Sequence, residues 1–194
     1  MKNLVTMQAP VFEARAVMPD NSFASINLSD YRGKYVILFF YPLDFTFVCP
    51  TEIIAFNEKL EEFEKRNCKV LGISVDSEYS HFAWKQTPVE KGGIGKINYP
   101  LISDITKKIT REYGILHEDS VALRGLFLID KNGIVRHQVV NDLSLGRDVN
   151  EALRVLEALQ FTEEYGDVCP ANWKPGEESI KPTPEGISKY LSDK

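Results

Sequence analysis

The chain has 194 residues, of which 43% are hydrophobic and 26% charged, and its formal net charge is −5. This composition fits a globular protein and excludes a disordered chain, a collagen-like repeat and a disulfide-dense scaffold. The negative charge disfavours nucleic acid as a partner. The longest apolar run, residues 35–41, is too short to span a membrane, and the N-terminus shows no signal-peptide pattern. We therefore expect a cytoplasmic protein without a membrane or nucleic-acid partner.

The first part of the chain predicts a hairpin, a buried strand and a helix. Residues 11–17 and 22–27 are expected to pair, and the continuous apolar run 35–41 is typical of a strand buried on both faces. A helix follows, with Cys49 as its N-cap and Pro50 at its first position. The apolar face predicted for this helix consists of Ile53, Phe56, Leu60 and Phe63.

The rest of the chain continues the alternation of strands and helices. In chain order it predicts a strand at 69–75, a helix capped by Asp76 and Ser77 that contains His81 and Trp84, and a loop at 92–95. A strand at 100–102 follows, then a helix that Asp104 caps and that runs to about Tyr113. The last elements are a hairpin of 126–130 with 134–140 across Asn132-Gly133 and a final helix at 149–159. This order indicates a three-layer α/β fold of thioredoxin-like topology, with a mixed central sheet and an N-terminal hairpin extension.

The composition changes near residue 161. Four of the ten prolines fall within residues 162–194, where the hydrophobic fraction also drops. We therefore predict a compact domain, residues 1–161, and an extended C-terminal arm, residues 162–194, that cannot form its own core. Trp173, Tyr190 and Leu191 are expected to dock this arm on the same subunit or on a neighbour.

Cys49 is the strongest candidate for chemistry among the three cysteines. It follows a buried strand and opens a helix, at the sheet edge where functional groups of α/β proteins usually lie. The free N–H groups and positive dipole end of a helix N-terminus stabilise a thiolate, which is the nucleophilic form of cysteine. The commonest alternative is an inert buried thiol.

Other kinds of thiol site receive less support. Thr46 and Glu52 occupy the positions where a Cys-X-X-Cys pair would need its second cysteine. A cysteine hydrolase needs a histidine base, and a zinc site needs paired ligands; His81, His117 and His137 show neither spacing, although sequence distance alone leaves a base open. What remains is one activated thiolate whose second thiol comes from elsewhere.

One segment resembles the active-site motif of a known enzyme family. Residues 42–49, Pro-Leu-Asp-Phe-Thr-Phe-Val-Cys, match the Pro-X-X-X-Thr-X-X-Cys motif of peroxiredoxins, and residues 44–52 resemble the typical two-cysteine subclass, also called thioredoxin peroxidases or alkyl hydroperoxide reductases C. The similarity runs from about residue 9 to the C-terminus. Further matching segments lie at 74–77, 92–95, 124–127, 141–147 and 166–170.

The resemblance implies a role for each residue of the motif. Cys49 would be the peroxidatic cysteine, which attacks the O–O bond of a hydroperoxide and becomes a sulfenic acid. Arg124 would stabilise the thiolate and the leaving oxygen. Thr46 would orient the peroxide and Pro42 would shield the thiolate from water. From spacing alone, Thr46 equally suits a turn-forming hydroxyl and Pro42 a strand terminator.

The resemblance also implies a second cysteine, partners and an assembly. Cys169 would be the resolving cysteine, which attacks the sulfenic acid of the other subunit and forms an intersubunit disulfide that thioredoxin or a flavoprotein reductase reduces. The substrates would be hydrogen peroxide and small organic hydroperoxides, the assembly a homodimer that forms a decamer, and no metal, haem or flavin cofactor would be needed. Glu52, which either pairs with an arginine or suits a first turn, and Arg147 would support the site, while Cys68 is a structural bystander.

Two alternatives and one regulatory feature remain open at this point. An oligomeric chaperone or scaffold would use the thiol only to sense oxidation, and a weaker option is a phospholipase or glutathione-linked variant; the number of peroxides consumed per subunit separates catalyst from sensor. Residues 92–95 resemble the Gly-Gly-Leu-Gly loop of members sensitive to overoxidation. In those members the loop packs on a C-terminal Tyr-Phe pair, and here that pair is Tyr190-Leu191.

Overall fold

The apolar runs of the sequence form strands of a seven-stranded mixed sheet in a computed structural model that describes residues 2–192. Met1 and residues 193–194, the ends of the predicted domain and arm, lie outside the described residues. The strands are β1 (Glu13–Val17), β2 (Phe23–Asn27), β3 (Tyr35–Phe40), β4 (Cys68–Ser74), β5 (Leu101–Ser103), β6 (Leu116–His117), β7 (Val121–Ala122), β8 (Arg124–Ile129) and β9 (Val135–Asn141). The α-helices are α1 (Cys49–Glu58), α2 (Leu60–Lys65), α3 (Glu78–Gln86), α4 (Lys108–Glu112), α5 (Val149–Tyr165) and α6 (Pro184–Ser192).

The order of strands in the large sheet is β2-β1-β5-β4-β3-β8-β9, while β6 and β7 pair separately. Strand β4 runs parallel to both β3 and β5, whereas β8 runs antiparallel to β3 and to β9. All residues of β3 and β8 are buried. Since Phe39 pairs with Leu126 in antiparallel register, the start of β8 lies beside the chain that leaves the end of β3. This register brings Arg124 to the segment that leads into α1.

Most of the predicted elements are present. Both hairpins are confirmed: β1 pairs with β2 and β8 with β9 in antiparallel register. Ser77 caps α3 as predicted, because its hydroxyl accepts the backbone N–H of Ser80. The predicted apolar face of the helix after Cys49 is buried at all four positions. The mixed α/β fold inferred from the order of elements is therefore confirmed.

Three helix predictions need correction. The helix predicted across residues 49–63 is broken at Lys59, whose carbonyl accepts the N–H groups that begin α2. Helix α4 begins only at Lys108, because residues 104–107 form a turn first, yet the Asp104 carboxylate still accepts the N–H groups of Ile109 and Thr110. Helix α5 is longer than predicted and is not the final helix, since α6 follows it.

The chain divides into two compact units, the first ending at Val149 and the second beginning at Asn150. In the second unit α5 leads into an irregular segment, where Val168 and Ile180 form an antiparallel bridge before α6. The predicted boundary between residues 161 and 162 stays a prediction. Over the described part of the chain, no helix combines the length and apolar character needed to cross a bilayer.

Candidate active site

The thiol of Cys49 belongs to the first turn of α1. The N-cap is Val48 and not Cys49 as predicted, because the Val48 carbonyl accepts the N–H groups of Thr51 and Glu52. Pro50 lies at the start of the helix, where a residue without an N–H is tolerated. Cys49 has no exposed surface. The shift of one residue leaves the thiol at the positive end of the helix dipole.

A buried arginine contacts this thiol. The Nη1 of Arg124 donates to the Sγ of Cys49 at 3.4 Å and to the Oε2 of Glu52 at 2.7 Å. Its Nε donates to the Leu143 carbonyl at 2.8 Å, which fixes the plane of the guanidinium. Arg124 is only 3% exposed. The antiparallel register of β3 and β8 therefore places a fixed positive charge at the thiol.

A second buried arginine shares the same carboxylate. The Nε and Nη2 of Arg147 donate to the two oxygens of Glu52 at 2.7 and 2.9 Å, and its backbone N–H adds a bond of 2.9 Å. The Nη1 of Arg147 donates to the carbonyls of Phe40 and Gly125, which belong to β3 and β8. Burial lowers the pKa of Arg147, and the Glu52 carboxylate opposes that shift. Two guanidinium groups and one carboxylate leave one net positive charge, which a Cys49 thiolate neutralises.

An open cleft of about 410 Å³ adjoins the thiol. Its lining consists of Pro42, Thr46, Phe47, Val48, Cys49, Arg124, Leu143 and Ser144. Pro42 is buried, two residues beyond the end of β3. The hydroxyl of Thr46 donates to the Leu43 carbonyl at 2.8 Å, so it forms a turn here, and its oxygen still has acceptor capacity. Four of the predicted site residues thus share one cleft, and Glu52 and Arg147 form an ion cluster with Arg124.

The loop between β3 and α1 is held by a buried polar network that the sequence did not reveal. The Asp44 carboxylate accepts the Tyr41 hydroxyl at 2.9 Å and lies 2.8 Å from the Nδ1 of His81. The backbone N–H of Asp44 donates to Asp76, which follows β4. The available signal was that Asp44 and Asp76 follow the carboxyl ends of adjacent parallel strands, where polar side chains converge.

This network bears on the alternatives to a redox thiol. The second ring nitrogen of His81 lies 3.1 Å from the Ile102 carbonyl, so the partners of its two nitrogens are Asp44, Tyr41 and Ile102 and not Cys49. Among residues 2–192, no group of three or more histidine, cysteine or acidic side chains is arranged to hold a metal ion.

The other two cysteines differ in their surroundings. Cys68 is fully buried, and burial raises the pKa of its thiol to about 12, which leaves it protonated and unreactive at neutral pH. Cys169 belongs to the second unit and is partly exposed, with its Sγ 3.7 Å from the Ala158 carbonyl. Burial raises the pKa of the Cys169 thiol above its ordinary value, and the Arg154 guanidinium opposes this shift.

Comparisons with known proteins place the chain in a family. The sequence profile of the AhpC/TSA family matches residues 5–138, and that of the C-terminal domain of 1-Cys peroxiredoxin matches residues 158–193. The spinach protein "2-Cys peroxiredoxin BAS1, chloroplastic" is 58% identical over 191 residues, which cover 97% of this chain and 72% of the spinach protein.

Solved structures agree with the sequence relatives. A reduced 2-Cys peroxiredoxin of Plasmodium vivax has a TM-score of 0.97 and 56% identity, covering 98% of this chain and 100% of that chain. Thioredoxin peroxidase I of Plasmodium yoelii has a TM-score of 0.80 and 57% identity, covering 89% and 99%. The predicted thioredoxin-like fold is confirmed by these likenesses. The chain belongs to the AhpC/TSA family and is a 2-Cys peroxiredoxin, a thiol-dependent peroxidase.

Proposed function

We propose that Cys49 is the nucleophile of this peroxidase, and the contact of 3.4 Å between its Sγ and the Nη1 of Arg124 is the observation that carries the proposal. The Cys49 thiolate attacks one oxygen of the hydroperoxide. An S–O bond forms, the O–O bond breaks, and the other oxygen leaves as hydroxide or alkoxide and takes a proton. The peroxide is thereby reduced to water or an alcohol, and Cys49 is oxidised to a sulfenic acid.

The surrounding side chains have separate roles in this step. Arg124 stabilises the thiolate and the negative charge that develops on the leaving oxygen. Glu52 holds the Arg124 guanidinium in place and Arg147 holds Glu52, because both buried arginines donate to the one buried carboxylate. Thr46 accepts a hydrogen bond from the peroxide, and Pro42 limits the access of water. Phe47 and Val48 in the cleft lining suit the alkyl group of a small organic hydroperoxide, while Thr46 and Arg124 offer the polar contacts that hydrogen peroxide needs.

In the second step Cys169 of another subunit resolves the sulfenic acid. An S–S bond forms between the two sulfurs and the S–O bond of Cys49 breaks. The oxygen leaves as hydroxide and becomes water with the proton that Cys169 has lost. The Cys169 sulfur is oxidised and the Cys49 sulfur is reduced. Support comes from the partial exposure of Cys169 and from relatives that are named 2-Cys peroxiredoxins.

The disulfide then needs an external dithiol, and the likeness to thioredoxin peroxidase I of Plasmodium yoelii favours thioredoxin over a flavoprotein reductase. The minimal working unit is a homodimer, since each disulfide joins two chains, and the family resemblance extends this unit to a decamer. We place the protein in the cytoplasm, where thioredoxin keeps thiols reduced between turnovers.

A set of cysteine variants tests this mechanism. Cys49→Ser should abolish peroxide consumption, whereas Cys169→Ser should reduce peroxide once, fail to turn over with thioredoxin and form no disulfide-linked dimer on a non-reducing gel. Cys68→Ala is the matched control and should retain both properties, because its thiol is buried and protonated. Steady-state turnover by Cys49→Ser would contradict the assignment.

A further inference from the structure

One face of α5 holds the segment that carries Cys169. Glu151, Arg154, Ala158 and Phe161 are spaced at three or four residues along this face. The Cys169 Sγ lies 3.7 Å from the Ala158 carbonyl. The rings of Phe161 and Trp173 have centroids 4.9 Å apart. All of these residues belong to the second unit of the chain.

Arg154 is the polar link of this arrangement. Its Nε and Nη2 donate to the two oxygens of Glu151 at 2.6 and 2.7 Å, so the guanidinium is held by a two-point contact. Its Nη1 donates to the Trp173 carbonyl at 3.0 Å. The arginine thus ties the helix to the backbone four residues beyond Cys169.

The segment beyond Cys169 is itself well fixed. Trp173 is only 2% exposed, its backbone N–H donates to the Pro170 carbonyl at 3.2 Å, and its indole Nε1 donates to the Glu177 carbonyl at 3.1 Å. Because this turn is rigid, a tie at the Trp173 carbonyl also limits the movement of the neighbouring Cys169.

The positive charge of Arg154 also favours attack by Cys169. The Arg154 guanidinium opposes the effect of burial on the pKa of Cys169, which favours the thiolate. The contact with Glu151 raises the pKa of Arg154, so this positive charge is permanent at any pH at which the enzyme works. Thiolate is the attacking form in disulfide formation, and its fraction limits the rate when the thiol pKa lies above the ambient pH.

We propose that Arg154 is a positioning residue for the resolving step: it holds the segment 169–173 and supplies the positive charge that promotes attack by Cys169 on the sulfenic acid. This inference rests on the proposed function of Cys169 as the resolving cysteine. It implies that Arg154 also protects Cys49, because a sulfenic acid that waits longer for Cys169 reacts more often with a second peroxide and becomes a sulfinic acid.

The test separates the two chemical steps in one experiment. Reduced protein is mixed with one equivalent of hydrogen peroxide, quenched at intervals, and analysed by mass spectrometry for dimedone-trapped sulfenic acid and for the disulfide. In Arg154→Gln the oxidation of Cys49 should keep its wild-type rate. Disulfide formation at pH 7 should slow by about tenfold, the effect of losing one hydrogen bond from a charged group. The sulfinic fraction should rise at excess peroxide.

The pH profile distinguishes charge from structure. In Arg154→Gln the rate of disulfide formation should reach its plateau at a higher pH than in the wild type, because the thiol has lost its positive neighbour. Arg154→Lys keeps the positive charge but loses the two-point contact of the guanidinium with Glu151. Its disulfide formation should be slow, with the same pH dependence as in the wild type. Arg111→Gln, which removes an exposed arginine paired with Asp119, is the matched control and should behave as wild type.

Several outcomes would overturn the inference. The inference fails if Arg154→Gln forms the disulfide at the wild-type rate. It also fails if disulfide formation in Arg154→Gln is slowed equally at every pH, because that result indicates a structural effect alone. Cys169→Ser, run in parallel, separates this inference from the function on which it rests. If Cys169→Ser still turns over or forms the disulfide, Cys169 is not the resolving cysteine. If Cys169→Ser does neither and Arg154→Gln forms the disulfide at the wild-type rate, only the role of Arg154 is refuted.

Discussion

The substitution Glu52→Gln probes the buried ion cluster with little change in shape. The carboxylate accepts four hydrogen bonds, one from Arg124 and three from Arg147, at 2.7 to 2.9 Å. Glutamine removes the negative charge and points an NH₂ group at a guanidinium, so both buried guanidinium groups lose the carboxylate that they share. Removing one partner of a buried ion pair costs about 3–5 kcal/mol. We expect the free energy of unfolding of the reduced protein to fall by about that amount.

The assay is urea unfolding followed by circular dichroism at one protein concentration, since assembly adds to the apparent stability. Glu62→Gln is the matched control, because Glu62 pairs with Lys59 on the surface, and it should unfold with the wild type. The double variant Glu52→Gln with Arg147→Met should be less destabilised than the sum of the single variants. Equal stability of the Glu52→Gln and Glu62→Gln proteins would refute the role of the cluster.

Three further predictions concern single groups. Arg124→Lys should lower the rate of Cys49 oxidation by about 10²–10³-fold in a stopped-flow single turnover, because one preorganised donor is lost at the leaving oxygen. Burial lowers the pKa of Lys85 from 10.5 to about 8, so the charge of Lys85 opposes folding below about pH 8. The free energy of unfolding should therefore rise between about pH 8 and 10.5, where the unfolded chain binds this proton and the folded protein does not. Lys85→Met should flatten this rise. Iodoacetamide at pH 7.5 should leave Cys68 unlabelled in the native protein and label it in urea, as peptide mapping can show.

Much of the fold could be predicted because its signals are local. The apolar run that becomes β3, the Asn-Gly turn between β8 and β9, and Pro50 at the start of α1 each act through near neighbours in the chain. Helix boundaries were predicted less accurately because some of them carry no side-chain signal. Val48, and not Cys49, is the N-cap of α1, and it caps the helix through backbone bonds alone.

The contacts of the site could not be predicted from spacing. Glu52 meets Arg124 and Arg147, which are 72 and 95 residues distant. The register of β3 with β8 brings Arg124 to the site, and the segment after β9 brings Arg147. The residue types were available from the family resemblance, but their sharing of one carboxylate was not. His81 and Asp44 are likewise 37 residues apart, and neither belongs to a motif that indicates the pairing.

In the proposed mechanism, peroxide links Cys49 of one chain to Cys169 of another. Its most direct test mixes ¹⁵N-labelled and unlabelled subunits, allows them to exchange while reduced, adds one equivalent of hydrogen peroxide and identifies the disulfide-linked peptides by mass spectrometry. We predict cross-linked Cys49 and Cys169 peptides that include labelled–unlabelled pairs. Linked peptides of a single label in subunits that have exchanged, or a linked pair that includes Cys68, would rule out an intersubunit Cys49–Cys169 disulfide.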